Sequence, residues 1–527
     1  MLRANISCSG RRLALVLRRG GWRSGASSIA SAAASPPSGQ VDRRQARGGQ
    51  PDRRGRSGGT APSIIDETQA KGSGDGLGVS VLTETGNRLR APRVLLQKGK
   101  ARLFWDGNPV VYGGAVSTTV PGDGLPLGIG SPVLVADHTG RPIAWGMFNP
   151  TSMYRVRLLG SARDAATFPH LCLDVDATIA WRIRQSAEVR ARLGLPRAGV
   201  TTCYRLINSE GDGLSGIVAD VFANVIVVQC TAAWAHSRRS AICHAFLNAV
   251  PHADVVLWRP QLELLQKEGL NDDQDAISTD STFTRGSGDA AGAATAVPDR
   301  LVVFEEGVKY NISLLGGQKT GFYCDQRDNR GRVRQLVSAS GARSVLDLCC
   351  YSGGFALAAA LGGASTVVGV DSSGAAVELA TSNAALNGCA DACSFVRADV
   401  MEYLQAAQAT HAGKYDVVVL DPPKLAPNKH ALAKAAGRYR RLNSLAAALV
   451  APGGVLLSCT CSGAMAQSGE FPALVASASA AAGRHAVLLG RFGPALCHVT
   501  TPSYGEGNYL EACLFGIHGG PHGASSS

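Results

Sequence analysis

The sequence predicts a mixed α/β protein with a doubly wound sheet at its C-terminus, preceded by a small β-barrel and a central α/β module. From Val345 onward, apolar strand-like runs alternate with helix-like stretches, and this alternation is typical of βαβ units with right-handed crossovers. Between residues 90 and 160, short β-branched runs are broken by Gly and Asp, which is typical of a small barrel. The stretch between these regions mixes both kinds of segment and is predicted to form the central module.

The first 58 residues are basic and polar. They contain twelve Arg, no Lys and only two acids, Asp42 and Asp52, so they carry +10 of the chain's formal net charge of +12. This composition, rich in Arg, Ser, Ala and Gly, predicts an organellar transit peptide, for a chloroplast or alternatively a mitochondrion. A disordered, basic RNA-binding tail would have a similar composition. Residues 59–89 are polar and glycine-rich and are predicted to be a linker, so the folded protein should begin near Arg90.

The composition of the whole chain indicates which broad class of protein it belongs to. Apolar residues make up 45% of the chain, which is ample for buried cores. No apolar run approaches the roughly 20 residues that span a bilayer, so the sequence predicts a soluble protein. The 14 cysteines are scattered without paired C-x-x-C motifs. Neither a zinc site nor a disulfide framework is indicated, and a reducing compartment is favoured.

The barrel and the central module carry few chemical signals. In the barrel, residues 90–160, Lys98, Lys100 and Arg102 fall on the first predicted loop, where they could contact phosphates, although solvated surface cations would look the same. The central module, residues 174–265, is predicted to contain a helix, three strands, a second helix and a final strand. Residues 268–299 are rich in Asp, Ser, Gly and Ala and are predicted to be a disordered insertion.

The C-terminal domain, residues 301–518, begins with two strands around a glycine turn. A dense run of Gln, Lys, Asp and Arg follows, from Gly317 to Arg330. Such a run between apolar strands and a helical stretch is costly to keep unless it faces a ligand, although a solvated helix N-cap would also explain it. This segment is therefore a candidate part of a binding site.

Residues 344–371 form a βαβ unit with an acid near the end of each strand. The turn after the first strand contains Gly353 and Gly354, whose lack of side chains lets a ligand approach the helix N-terminus. Asp371 is placed to accept hydrogen bonds from ribose hydroxyls. The G-x-G-x-x-G spacing of dinucleotide sites is missing, whereas Asp347 suits a ligand with positive charge, such as S-adenosylmethionine. The alternative is an ordinary βαβ unit without a ligand.

Further polar groups follow the next three strands. The third strand ends at Asp399, the fourth ends in Asp421-Pro422-Pro423-Lys424, and the fifth runs into Cys459-Thr460-Cys461. The two prolines cannot continue a strand and fix a rigid turn. Asp421 should therefore lie at the carboxyl edge of the sheet, where open α/β sheets bind ligands.

These residues together resemble a known family. The series DLCCYSGGFA, GVD, RADV, LDPPK and CSG resembles class I S-adenosylmethionine-dependent methyltransferases, which have a Rossmann-like sheet. The run GGQKTGFYCDQRDNR resembles the signature preceding that fold in bacterial large-subunit ribosomal RNA cytosine-C5 methyltransferases. The similarity covers roughly residues 90–518, includes NPVVYGGAV and YRLINSEGDGLSG, and implies that the barrel is a PUA domain.

The resemblance implies roles for individual residues in binding S-adenosylmethionine. Asp347 and the turn would hold the methionine end, Asp371 the ribose and Asp399 the adenine amino group. The residues that complete this predicted site are Tyr351, Ser352, Gly353 and Gly354 in the turn, and Gln318, Tyr323 and Arg327 in the segment that would close over the cofactor.

The resemblance also implies the chemistry. Carbon 5 of a pyrimidine is too weak a nucleophile to take a methyl group from sulfur, so a thiolate must first add to carbon 6. By alignment with the family's Ser-Cys-Ser-Gly, that thiolate is Cys461, while Asp421 would hydrogen-bond the base near nitrogen 3. Cys459 is a second candidate thiol. The implied partner is ribosomal RNA, contacted by Lys424 and the barrel cations, with no metal and no membrane and with a homodimer left open.

Two other functions fit parts of the same pattern. Asp-Pro-Pro turns also serve methylation of RNA nitrogen atoms, which needs no cysteine. A noncatalytic RNA-binding or ribosome-assembly factor could keep the scaffold, although the full set of strand-end acids argues against it.

Overall fold

The computed structural model describes residues 80–82, 88–123, 127–275, 277, 280–285, 299–314, 320–426 and 428–519. The predicted transit peptide and most of the predicted linker lie outside these residues, as does Gln318. Within these ranges, no helix is long and apolar enough to cross a membrane. The same ranges hold no group of three or more His, Cys, Asp or Glu side chains that could bind a metal ion.

A six-stranded sheet forms the N-terminal domain, where the sequence predicted a barrel. Its strands hydrogen-bond in the order β4-β8-β7-β6-β3-β5 around a core that includes Val94, Val133 and Val156. A hairpin turn joins β6 to β7, and Asp137 Oδ1 accepts the backbone N–H groups of Thr139 and Arg141. The elements are β1 (Ser80–Leu82), β2 (Arg88–Arg90), β3 (Arg93–Leu96), α1 (Arg102–Trp105), β4 (Val110–Tyr112), β5 (Val116–Val120), β6 (Ser131–Ala136), β7 (Pro142–Phe148) and β8 (Tyr154–Ser161).

The central module is a five-stranded sheet in the order β13-β12-β11-β10-β9. Helices α3 and α5 pack against one another, and their apolar side chains, including Ile183 and Phe246, share a core with Trp258 of the sheet. The elements are α2 (Ala162–Thr167), α3 (Val175–Arg192), β9 (Cys203–Asn208), β10 (Ile217–Phe222), β11 (Val225–Cys230), α4 (Ala233–His236), α5 (Arg239–Ala249), β12 (Val255–Pro260), α6 (Leu262–Lys267), α7 (Asp272–Asp275) and β13 (Ser281–Thr284).

The predicted disordered insertion, residues 268–299, is wrong in part. Strand β13 lies inside it and pairs antiparallel with β12, and Glu268 is only 5% exposed. The composition of the segment is polar, but β13 completes the hydrogen bonds of an otherwise open strand. Glu268 is retained in the interior because Arg157 of the barrel neutralises it. A contact between residues 111 positions apart, such as Arg157 with Glu268, cannot be recognised from the local sequence.

The C-terminal domain is the predicted doubly wound sheet. Its seven strands lie in the order β18-β17-β16-β19-β20-β22-β21. Strand β22 runs in the opposite direction to the other six and is antiparallel to both of its neighbours. The elements are β14 (Arg300–Glu305), β15 (Val308–Ser313), α8 (Arg327–Ser340), β16 (Ser344–Leu348), α9 (Gly354–Leu361), β17 (Thr366–Asp371), α10 (Gly374–Leu386), β18 (Cys393–Arg397), α11 (Val400–His411), β19 (Tyr415–Leu420), α12 (Leu432–Leu449), β20 (Val450–Thr460), α13 (Gly463–Ser468), α14 (Phe471–Ala481), β21 (Arg484–Phe492) and β22 (Glu511–Gly519). The strand order reverses between β16 and β19, so a ligand crevice is expected at the carboxyl ends of these two strands.

A buried ion pair connects the N-terminal sheet to the central module. Arg157 Nη2 lies 2.6 Å from Glu268 Oε1, and both side chains are less than a tenth exposed. Arg157 Nη1 also donates to Ser215 Oγ, and Glu268 Oε2 accepts the backbone N–H of Ala233. Removal of Glu268 would leave Arg157 with the Glu210 carboxylate, 3.8 Å from Nη1, as its remaining counter-charge.

We predict that Glu268→Gln lowers the free energy of unfolding by about 1–3 kcal/mol, because the buried Arg157 would lose its charged hydrogen-bond partner and keep only the Glu210 carboxylate, 3.8 Å from Nη1. Chemical denaturation followed by circular dichroism measures the change. Glu263→Gln is the matched control, since Glu263 is exposed on α6. Equal denaturation midpoints for the two variants would contradict the prediction.

Candidate active site

The turn after β16 is tightly wound. Cys349, Tyr351 and Gly353 have φ angles of 63°, 46° and 79°, so three residues lie in the left-handed region before α9 begins. A Cβ atom at Gly353 would lie 3.2 Å from Ala380 Cβ and from the Phe395 ring, which leaves little room for a side chain. Glycine is therefore required here by its backbone conformation and by packing. The approach of a ligand at this turn stays a prediction.

Asp347 lies beneath this turn and is fully buried. Its Oδ2 accepts the N–H of Ala356 at 2.9 Å, while its Oδ1 has no hydrogen-bond partner. Burial raises the pKa of Asp347 to about 7, and the nearby carboxylates of Asp421 and Asp371 add to this effect. A buried oxygen without a partner is costly, so the site suits a ligand with an ammonium group.

Two further carboxylates lie at the ends of the neighbouring strands: Asp371 is the last residue of β17, and Asp399 comes two residues after β18. Asp371 accepts the backbone N–H groups of Tyr351 at 3.0 Å and Ser373 at 2.9 Å, and these bonds hold its carboxylate at the turn. Asp399 is exposed and caps α11 through one oxygen, which accepts the N–H groups of Met401 and Glu402. A cavity of about 460 Å³ is lined by Tyr351, Ser373 and residues of β15 and α10, and the carboxylates of Asp347, Asp371 and Asp399 do not line it. Its volume is adequate for a nucleoside-sized ligand.

The segment before α8 lies over the turn. The Tyr323 ring meets the Tyr351 ring edge to face, with centroids 5.2 Å apart. Burial raises the pKa of the Tyr323 phenol, and Asp421 and Cys461 are among the neighbouring groups that raise it further. Tyr323 therefore lies between the predicted cofactor residues and the predicted catalytic pair. Gln318 lies outside the described residues, so its role stays a prediction.

The segment is held by Arg330, whereas the sequence assigned Arg327 to the cofactor site. The guanidinium of Arg327 lies 3.2 Å from Asp328 Oδ1 and 3.5 Å from Cys497 Sγ, and its proposed contact with the cofactor stays a prediction. Arg330 instead forms a buried ion pair with Glu305 at 2.6 Å and donates to the carbonyl of Tyr323 at 2.7 Å. The position of Arg330 in the polar run can be read from the sequence, whereas its ion-pair partner, Glu305 on β14, cannot.

The two predicted catalytic residues lie at the ends of β19 and β20, which are parallel neighbours. Asp421 Oδ2 accepts a hydrogen bond from Gln326 Nε2 at 2.9 Å. Cys461 Sγ lies 3.8 Å from the carbonyl oxygen of Pro422, in the turn that Asp421 begins. Cys461 is half-buried, whereas Cys459 is fully buried and its thiol pKa is raised well above the ordinary value by burial.

Gln326 is a site residue that the sequence did not single out. Its amide contacts Asp421 and also the Cys459 thiol, and its Oε1 accepts from Asn329 Nδ2 at 2.7 Å. Because Asn329 donates to Oε1, the Nε2 end of the Gln326 amide faces Asp421. The only available signal was its position three residues after Tyr323 in the polar run.

The residues on both sides of Cys461 are held by Tyr439 of α12. The Tyr439 hydroxyl is 2.7 Å from Thr460 Oγ1 and 3.0 Å from Ser462 Oγ. Ser462 Oγ also accepts the N–H of Ala426, which follows the proline turn. These buried bonds fix the backbone that carries the thiol.

The predicted RNA-binding residues fall in two places. Lys98 and Lys100 are exposed after β3, and Arg102 begins the short helix α1 instead of lying in a loop, where it pairs with Asp106 at 3.6 Å. Lys424 is exposed immediately after the proline turn. The structure therefore places Lys424, but not the barrel cations, in the turn that contains Asp421.

Comparisons with known proteins agree with this architecture. A PUA-like domain family matches residues 94–161, and a family described as S-adenosylmethionine-dependent methyltransferase matches residues 291–485. The ribosomal RNA large subunit methyltransferase I of Enterobacter sp. (strain 638) is 34% identical over 420 residues, which cover 80% of this chain and 98% of that protein. The protein of the same name from Salmonella gallinarum is 33% identical over 425 residues, 80% of this chain and 96% of its own length.

Two solved structures share the fold at low sequence identity. A putative S-adenosylmethionine-dependent methyltransferase from Streptococcus mutans superposes with a TM-score of 0.63 at 17% identity, covering 80% of this chain and 99% of that chain. A putative methyltransferase complexed with SAH gives a TM-score of 0.62 at 19% identity, with the same coverage of 80% and 99%.

The raised pKa of Asp347 predicts a pH dependence of stability. The pKa of Asp347 is about 7 in the folded state and 3.8 ordinarily, so between these pH values the folded state retains a proton that the unfolded chain loses. The free energy of unfolding therefore falls as the pH rises from 3.8 to about 7. We expect the free energy of unfolding of Asp347→Asn not to show this fall. Relative to the wild type, it should therefore rise by about 1–3 kcal/mol between pH 5 and pH 8. Denaturation of the cofactor-free protein at both pH values measures it.

The same variant should bind S-adenosylmethionine more weakly, because the amide cannot balance an ammonium charge. Asp391→Asn, at an exposed site of the same domain, is the control and should change neither quantity. Parallel stability curves for Asp347→Asn and the wild type would refute the prediction.

Proposed function

The chain belongs to the ribosomal RNA large subunit methyltransferase I family and is an S-adenosylmethionine-dependent RNA methyltransferase, and we propose that it methylates carbon 5 of a cytosine in organellar large-subunit ribosomal RNA. The observation that carries the proposal is the half-buried Cys461 in contact with the turn that begins at Asp421. A thiol at the substrate-facing edge is a requirement of carbon-5 chemistry and not of nitrogen methylation.

The proposed mechanism begins with Cys461. Its thiolate adds to carbon 6 of the cytosine, forming a carbon–sulfur bond and moving electron density onto carbon 5 and towards nitrogen 3. A protonated Asp421 carboxyl would donate a hydrogen bond to nitrogen 3, where this charge develops, while Gln326 donates to its Oδ2 and holds it in place. Bound S-adenosylmethionine supplies the electrophilic methyl group. After the carbon-5 proton leaves as H⁺, the carbon–sulfur bond breaks, and its electron pair returns to Cys461.

The difference between the two cysteines supports Cys461 as the nucleophile. Cys459 is enclosed in the sheet, where burial raises its thiol pKa and disfavours the thiolate. Cys461 lies beyond the end of β20 and is partly accessible. The buried bonds of Tyr439 to both neighbours of Cys461 would keep its sulfur in one position during attack.

We predict that Cys461→Ala reduces methyl transfer by on the order of 10³-fold or more, because the covalent route is lost. S-adenosylmethionine binding by calorimetry should persist in this variant. Cys459→Ala is the matched control and should keep most of the activity. Bisulfite sequencing of treated ribosomal RNA identifies the product.

The outcomes separate the alternatives. Full activity in Cys461→Ala and in the double variant would refute the thiol mechanism and favour methylation of a nitrogen atom. Absence of S-adenosylmethionine binding by the wild-type protein would favour a noncatalytic assembly factor.

The organellar part of the proposal is supported by residues 1–58, which hold twelve Arg and two acids. We predict that a fluorescent protein fused to these residues accumulates in chloroplasts, with mitochondria as the alternative organelle. The same reporter without the leader should remain in the cytosol. Cytosolic or nuclear retention of the fusion would contradict an organellar role. A knockout should lose 5-methylcytosine at one position of organellar large-subunit ribosomal RNA.

A further inference from the structure

The folded part of the chain has an uneven charge distribution. Residues 422–469 contain six Lys or Arg and no Asp or Glu, whereas the other residues from 59 onward sum to −4. The acids that bound this stretch are Asp421, at the catalytic turn, and Glu470. A solvated helix surface normally mixes both signs, so a stretch with one sign only is a candidate binding surface.

Helix α12 presents this charge on one side. Lys434, Arg438 and Arg441 follow the spacing i, i+4, i+7, which places them along one face over roughly 10 Å. All three are exposed, and the opposite face buries Tyr439 and Asn443. None of the ion pairs within the described residues involves the three cations. Their positive charge is therefore available to a partner.

The face is joined to the catalytic residues by a buried contact. Arg438 directly precedes Tyr439, whose hydroxyl bonds the two residues that flank Cys461. Lys424 and Lys429 are exposed on the connection between Asp421 and α12. One side of α12 therefore supports the strand that carries the thiol, and the other side carries the charge.

We propose that this basic face, defined as Lys434, Arg438 and Arg441 together with Lys424 and Lys429, binds the phosphates of the RNA strand that flanks the target nucleotide. The inference rests on the proposed function, because it takes ribosomal RNA as the substrate. Cations that contact phosphates fix the position of a nucleic acid without reading its sequence.

The test is binding of unmodified, in vitro transcribed organellar large-subunit ribosomal RNA. Lys434→Ala/Arg438→Ala/Arg441→Ala should raise the dissociation constant on the order of 10- to 100-fold at 0.15 M salt, and it should flatten the slope of log affinity against log salt by roughly 2 to 3. Filter binding at several salt concentrations measures both. Retained S-adenosylmethionine binding shows that the variant is folded.

The control is Arg163→Ala/Arg184→Ala/Arg192→Ala, which removes three exposed cations of the central module and changes the net charge equally. A conservative variant, Arg438→Lys/Arg441→Lys, should keep most of the affinity, because phosphate contacts need charge more than shape. Equal affinities and salt slopes for the two alanine variants would overturn the proposal. A larger loss in Lys98→Ala/Lys100→Ala would also overturn it, by assigning RNA binding to the barrel.

The binding readout does not require methyl transfer. If the basic face governs RNA affinity but no 5-methylcytosine forms, the proposed function fails and this inference stands. If 5-methylcytosine forms but the basic face does not affect affinity, the inference alone fails.

Discussion

The parallel pairing of β16 with β19 determines where Asp347 and Asp421 lie relative to one another. Leu348 is in register with Leu420, and the backbone N–H of Asp421 donates to the carbonyl of Leu348 at 3.2 Å. Asp347 and Asp421 are thereby held near one another, with Asp371 on the next strand. Carboxylates gathered at one edge repel each other, and burial of Asp347 adds to the cost. A cationic cofactor offsets this cost, so the same pairing that creates the repulsion also selects the ligand.

The central module contains no catalytic group of its own, yet it supports the segment that joins the two halves of the site. Asp220 pairs with Arg205 in the interior and accepts a hydrogen bond from Thr320 at 2.6 Å. Further along the segment, Asp325 accepts from the Tyr509 hydroxyl at 2.8 Å. Residues 320–330 are therefore held from two sides, and the bonds of Gln326 and Tyr323 at the crevice depend on that support.

Local patterns in the sequence predicted the doubly wound sheet, the acids at its strand ends and the Asp421–Cys461 edge. These features depend on neighbouring residues: a β-branched run, a carboxylate at its end and a proline turn are visible within a few positions. Gln326, Arg330 and Glu268 act through partners that lie 95, 25 and 111 residues away, and no local pattern reports such pairs. The same reason explains why part of the polar segment after residue 268 was expected to be disordered, although a distant arginine and an open strand edge order it.

The Tyr439 hydroxyl has a consequence for substrate selection. Because one buried side chain links α12 to the backbone on both sides of Cys461, the separation between the basic face and the sulfur is a fixed dimension of the protein interior. An RNA strand held by its phosphates on that face can reach the thiol only if the intervening backbone spans the same length with the base turned out of its stack. If the proposed basic face holds the RNA, this fixed arrangement would favour a loop or bulge, whose bases are free to turn out, over a continuous duplex.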